Sequence, residues 1–232
     1  MSPNLCRAIS TLRRTIQRID KRCILFLDEA ALRLNEAPRS TIVMPGETAY
    51  VVVDDNTAYA RRYDMIACCT IDRVFPPIIY TPDERKQEGV KGINKHMLLQ
   101  YIRNILAQAC GALDRYPLYL VLDRARIHHV EDIIQEFHDW GCQELKEVWK
   151  MPTKAAKRMS PLDNSIFHDW KERIRSRGPI LESNIEQLMT DEWNNITPRI
   201  LHAHYKHCGL FRDRNTFFDC PDPATHKHKT SR

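Results

Sequence analysis

Two short apolar runs end in the same way, and this constrains the chain more than any other feature. Residues 23–28 read Cys-Ile-Leu-Phe-Leu-Asp, and residues 118–123 read Leu-Tyr-Leu-Val-Leu-Asp. Runs this short, without polar alternation, read as strands of a sheet buried on both faces. Ligands in open α/β sheets sit beyond the carboxyl ends of the strands. If the two strands are neighbours, Asp28 and Asp123 reach one rim of the sheet. Two unpaired carboxylates side by side repel, and one protonates unless a cation holds them. A hard divalent ion with oxygen ligands is the natural solution. For either acid alone, starting a turn or capping the next segment is the simpler reading. The matching contexts favour a shared site.

The remaining elements follow from periodicity and punctuation. Residues 4–20 read as a basic helix, with Leu5, Ala8, Ile9, Leu12, Ile16 and Ile19 near helical spacing. Residues 35–47 hold Pro38, Pro45 and Gly46 and read as a loop. Tyr50–Asp54, Asp64–Ile71 and Ile78–Tyr80 are strand candidates, and 82–93 read as a charged loop. Asn94 caps an amphipathic helix that Gly111 ends. A second helix carries Val130, Ile133, Ile134, Phe137 and Trp140 on one face, with Gly141 closing it. Residues 144–150 read as a last strand, and three helices fill 161–208. Strands first, then alternating helix and strand, then helices, predict an α/β domain with a central mixed sheet flanked by helices and a C-terminal helical extension.

A third acid comes from helix phase. Ser160-Pro161 is a helix start, with Ser as N-cap and Pro at the first helical position. Ile166, Phe167, Trp170 and Ile174 then cluster in one arc of the wheel, and Asp163 lies near its centre. Asp169 lies about 120° away, toward solvent. An inward carboxylate needs a partner. The competing role for Asp163 is to complete a capping box with Ser160.

Charge is mildly basic: 35 Lys and Arg against 30 Asp and Glu, with a pI near 8.8. Its distribution is more informative. Residues 1–22 carry Arg7, Arg13, Arg14, Arg18, Lys21 and Arg22 against the acid Asp20, and a second cluster holds Lys150, Lys154, Lys157 and Arg158. Beside the candidate site, the second cluster suits phosphate contacts, although a solvated basic loop is the plainer reading. Eight cysteines without a Cys-x-x-Cys pair read as reduced thiols. His202, His204, His207, Cys208 and Cys220 match none of the standard zinc-finger spacings. No secretory h-region and no membrane-length apolar run is present, so a soluble intracellular protein is expected.

The segments Ile24-Leu-Phe-Leu-Asp-Glu29, Leu120-Val-Leu-Asp-Arg-Ala-Arg-Ile-His128 and Ser160-Pro-Leu-Asp-Asn-Ser-Ile-Phe-His-Asp-Trp170 together resemble the catalytic domain of Tc1/mariner and IS630-type transposases. That domain has the ribonuclease-H-like fold with a DDE or DDD carboxylate set, and the similarity covers about residues 23–178. One family register places the third acid at Phe167, which cannot bind metal. The register with Asp163 leaves 39 residues after Asp123, like the plant-type mariner branch, and is preferred. Arg124 stands where the family often has Asn.

The resemblance implies a DNA endonuclease and strand-transfer activity, serving DNA transposition and integration. It implies two Mg2+ or Mn2+ ions, with Asp28 bridging them and Asp123 and Asp163 each completing one side. DNA is the implied partner, with Lys150, Lys154, Lys157, Arg158 and His128 as candidate contacts. His128 is equally readable as a site contact or a helix-start histidine. A homodimer is left open, and no membrane is involved. The expected compartment is the nucleus in a eukaryote and the cytoplasm otherwise. The expected organisation is a basic linker helix over 1–22, the catalytic domain over 23–178, helices over 179–211 and an irregular basic tail over 212–232. Nothing before residue 23 is long enough for the paired helix-turn-helix domains of the family. A truncated or domesticated transposase that binds DNA or a partner without catalysis is therefore the rival expectation.

Overall fold

The structure, a computed structural model, describes residues 2–36, 43–46, 48 and 60–211. The expected strand Tyr50–Asp54, residue Cys220 and the tail from 212 lie outside these residues, as does most of the 35–47 loop.

Helix α1 (Pro3–Gln17) leads through a 3-10 turn (Lys21–Cys23) into strand β1 (Ile24–Arg33). Strands β2 (Arg62–Cys69) and β3 (Ile78–Tyr80) follow, then helix α2 (Pro82–Gln87). Helices α3 (Lys95–Tyr101) and α4 (Ala107–Gly111) are joined by a π turn (Ile102–Leu106). Strand β4 (Leu118–Leu122), helix α5 (Val130–Asp139) and strand β5 (Leu145–Lys150) come next. Short α6 (Ala156–Met159), a second π turn (Leu162–Ile166) and α7 (Phe167–Ser176) precede α8 (Ile185–Asn194) and α9 (Pro198–His207).

The five strands form one mixed sheet in the order β3-β2-β1-β4-β5. The first three pair antiparallel, while β4 runs parallel to β1 and to β5. This is the central sheet that the sequence predicts. Alternation along each strand divides the core between its two faces. Ile24, Phe26 and Val121 enter one apolar cluster with residues of α1 and of α7 to α9. Leu25, Leu27, Leu118, Leu120 and Leu122 enter the other with α3, α4 and α5. Helix α1 is part of that first cluster, because Ile9 and Ile16 are fully buried. Gln17 Nε2 also donates to the carbonyls of Gly209 (2.9 Å) and Phe211 (3.0 Å). The C-terminal helices are held by buried tryptophans whose indole N–H groups find partners, as burial requires. Trp170 donates to the Met189 carbonyl (3.0 Å) and Trp193 to that of Phe75 (2.8 Å).

Several sequence expectations are corrected. Strand β1 does not end at Asp28. It continues to Arg33, because β2 pairs with it as far as Arg33 opposite Arg62. Part of the 82–93 segment is helical, since Thr81 and Glu84 form a capping box with Pro82 at the first helical position. Asn94 caps its helix as expected, accepting from the Met97 N–H at 2.8 Å. Trp140 is 43% exposed rather than buried with its helix face. It lies past the end of α5, where the Arg103 guanidinium stands 5.2 Å over its ring.

Candidate active site

The parallel pairing of β1 and β4 stops at Phe26 opposite Val121. Two residues further along stand Asp28, still inside β1, and Asp123, just past the end of β4, so the two acids lie level where the strands part. Both continue the alternation of Phe26 and Val121, and both therefore aim at the sheet face covered by the C-terminal helices. The π turn carrying Asp163 packs on that same face, with Leu162 and Ile166 buried in its cluster. Three residues from three distant segments thus lie near enough to act on one another's charge.

Each acid has a different environment. Asp28 is 6% exposed. Its Oδ1 accepts from the Glu29 N–H at 2.9 Å, but its buried Oδ2 has no hydrogen-bond partner. Burial pushes its pKa well above the usual carboxylate range, and the charges of Asp163, Glu29 and Asp123 push the same way. Asp123 behaves oppositely. A hydrogen bond from His128 holds its pKa down despite partial burial, with the Ala125 N–H and then Lys150 helping. Asp123 Oδ1 lies 2.8 Å from His128 Nδ1 and 2.7 Å from the Ala125 N–H. The turn-starting role and the site position therefore coexist in Asp123.

Asp163 is more open than the helix wheel predicts, being exposed to solvent. The cause is the π turn: its i to i+5 bonding widens the helix, so the 100° wheel does not apply there. Partial desolvation of the carboxyl raises its pKa, the Asp123 charge adds to this, and Lys157 opposes it. The capping-box reading is met in one half only. The Asp163 N–H donates to Ser160 Oγ at 3.3 Å. The Ser160 N–H, which a box would direct to the Asp163 carboxylate, donates instead to the Ala156 carbonyl at 2.8 Å. The carboxylate of Asp163 is not consumed by the cap.

His128 is inside the site, with its ring fully buried. Nδ1 faces Asp123 and Nε2 stands 3.0 Å from Glu29 Oε1. Burial alone would lower its pKa, but the bonds to the two carboxylates outweigh it and raise it to about 10. The ring is therefore held as an imidazolium donating from both nitrogens, just ahead of α5, and it presents no exposed surface for the expected DNA contact. Glu29 was missed by the sequence reading. Its signal was strand alternation, which sends it to the face opposite Asp28, where the segment after β4 returns.

The basic candidates separate. Lys150 and Lys157 are close enough to act on Asp123 and Asp163 respectively. Lys154 is exposed in a turn at φ 68°. Arg158 is partly buried, and its carbonyl accepts from Arg13 Nη2 at 2.7 Å. Arg124 Nε donates to the Met151 carbonyl at 3.1 Å. Asp169, on the other side of the helix, stands 3.1 Å from His204 Nε2. Cys208 is buried and accepts from Asn164 at 3.4 Å. Seven cysteines among the described residues are free.

The site residues fit a divalent cation by donor chemistry. The orphaned Asp28 Oδ2, amid further carboxylates, is a hard oxygen donor whose ionised form a cation would favour. As the side chains stand, no three His, Cys, Asp or Glu groups among the described residues enclose an ion. Among these residues, no helix is long and apolar enough to cross a membrane.

No family model matches the chain, and no curated protein does. Solved structures match in fold. The Mos1 transposase paired-end complex with left transposon end superposes with a TM-score of 0.62 at 12% identity, over 90% of this chain. The Mos1 mariner paired end complex with Mn gives 0.64 at 12% identity, also over 90% of this chain. The chain spans 59% and 60% of the length of those two proteins. The separate catalytic domain of Mos1 mariner transposase gives 0.60 at 11% identity, with 89% of this chain matching 88% of that domain. The fold is thus that of a mariner transposase catalytic domain.

Proposed function

We propose that this chain is a transposase-type, metal-dependent DNA endonuclease domain, with Asp28, Asp123 and Asp163 as its metal-binding carboxylates. What supports this reading is that acids from β1, the end of β4 and the π turn lie near enough to act on one another's charge, one of them with an orphaned buried oxygen. The fold supports it, as do the Mn and Mg named for neighbouring Mos1 structures.

Asp28, Asp123 and Asp163 would hold two Mg2+ or Mn2+ ions. Bound there, the ions would supply Lewis-acid charge for an in-line attack on phosphorus. The protein's own residues do the rest. Asp28 offers a rigid, desolvated oxygen from the middle of a strand. His128, fixed by Glu29, holds Asp123 ionised and oriented. Lys150 and Lys157 place positive charge beside the acids, where a phosphodiester would lie. Lys154 and Arg158 extend that charge along the loop.

The second reading is a domain that binds DNA without cutting. It is favoured by the absence of an ion-enclosing arrangement among the described residues and by the hold of His128 on Asp123. A supercoiled-plasmid nicking assay with Mn2+ decides between them. Asp28→Asn, Asp123→Asn and Asp163→Asn should each reduce nicking by at least a hundredfold, on the order of removing one group that acts as part of a unit. Equal residual nicking in all three and in the wild type would sink the catalytic reading and leave the binding one.

A further inference from the structure

A groove of about 710 Å³ lies between α1 and strand β5, away from the packed face of α1. Arg7, Thr11 and Leu12 form its α1 wall, and Trp149, Lys150 and Arg124 form the opposite wall. Three of its lining residues are cationic and none is acidic. Its surface is otherwise mostly apolar, and the Trp149 ring is braced by stacking on Tyr119 at a centroid distance of 4.6 Å. Glu147 accepts from the Trp149 indole N–H at 2.8 Å, which fixes the ring. Arg124 follows Asp123 directly and is pinned to the Met151 carbonyl. Lys150 acts electrostatically on Asp123. Through Arg124, the residue after Asp123, the groove borders the carboxylate end of β4.

We infer that this groove receives an unpaired strand of nucleic acid leading to or from the carboxylates, with phosphates on Arg7, Arg124 and Lys150 and a base against Trp149. The inference rests on the nuclease reading above and adds a binding site for the single-stranded part of its substrate. Charge complementarity chooses the occupant: cations without acids on the walls suit a polyanion, and an aromatic ring with apolar neighbours suits a base. Size suits an unpaired strand: a groove of this volume has room for about one or two nucleotides. Sequence preference is not expected, because stacking and phosphate contacts are tolerant of base identity.

The test is binding of a short fluorescent single-stranded oligonucleotide to the full chain in chelator, where cutting plays no part. Arg7→Ala and Thr11→Trp, the second filling the groove from an exposed position, should each weaken binding by about tenfold. Arg7→Ala should also lower the slope of log affinity against log salt by about 0.7. Blunt duplex affinity should change less than single-strand affinity in both. Quenching of tryptophan fluorescence by the oligonucleotide should diminish in Trp149→Phe. Unchanged single-strand affinity in both α1 variants would overturn the proposal. So would loss of a self-associated species in Thr11→Trp by sedimentation, which would make a second copy the occupant. Binding that depends on the groove in a chain that never nicks would leave the groove standing and remove the nuclease reading. Nicking that is independent of the groove variants, with unchanged binding, would do the reverse.

Discussion

His128 Nε2 stands 3.0 Å from Glu29 Oε1 while Nδ1 of the same ring stands 2.8 Å from Asp123 Oδ1. One buried imidazolium thus ties the face of β1 opposite Asp28 to the residue after β4. Removing it leaves two carboxylates facing each other without their shared counter-charge. His128→Ala should cost about 3 kcal/mol in urea unfolding, on the scale of breaking a buried charged pair. Glu29→Gln should cost less, because a neutral amide still accepts from the ring. If Asp123 depends on this brace for its orientation, Glu29→Gln should also raise the Mn2+ concentration needed for half-maximal nicking. An unchanged metal requirement in Glu29→Gln would reduce His128 to a purely structural role.

Asp28 is a buried carboxylate held against its own solvation and against three neighbouring acids. Neutralising it should stabilise the metal-free protein by about 1 kcal/mol, in the manner of a site strained for function. The same change should abolish stabilisation by metal. In the wild type, Mn2+ at a hundredfold excess over its dissociation constant should add roughly 2.7 kcal/mol. Thermal melts of wild type and Asp28→Asn with and without Mn2+ read both effects. A variant less stable than wild type in chelator would show that Asp28 is structural.

Asp72 lies at the opposite end of the sheet, in the turn after β2. Burial raises its pKa, but hydrogen bonds from Arg115 and Thr70 outweigh that and hold it below the usual carboxylate range. Arg115 grips it with Nη2 to Oδ2 at 2.7 Å and Nη1 to Oδ1 at 3.2 Å. A lowered folded pKa stabilises the protein above the unfolded value of about 3.9, and that gain is lost as pH falls through the folded value. Asp72→Asn should therefore cost about 1 kcal/mol at pH 7, given the partial exposure of both partners, and nothing once the wild-type carboxyl is protonated. Urea midpoints from pH 7 to pH 3 should converge. A constant gap across that range would contradict the assignment.

Gly111 ends α4 where the chain leaving α5 crosses it. A Cβ at Gly111 would lie 2.0 Å from the Gly141 carbonyl oxygen, which is backbone and cannot swing away. Gly111→Ala should thus destabilise by about 2 kcal/mol or more through forced backbone displacement, although alanine is the better helix former. A stabilised or neutral variant in chemical denaturation would mean that the two segments separate easily.

The sequence by itself determined the apolar strands at the centre of the sheet and the common level of Asp28 and Asp123 on them. Apolar runs at 24–27 and 118–122 have no polar face to turn to water, so they had to lie inside a covered sheet, and each run carries its Asp to the same level. The capping box Thr81-Pro82-Asp83-Glu84 is equally legible, as a Thr and a Glu three residues apart around a Pro. The tertiary structure decided what local patterns cannot encode. Pairing of β1 with β2 kept β1 extended beyond Asp28, because a strand ends where its partner does and not where its apolar run ends. The π turn moved Asp163 from the wheel's inner face to the open side of the cleft. Only the return of the chain after β4 brought His128 to Glu29, a residue 99 positions away, and so linked two of the segments that surround the acids.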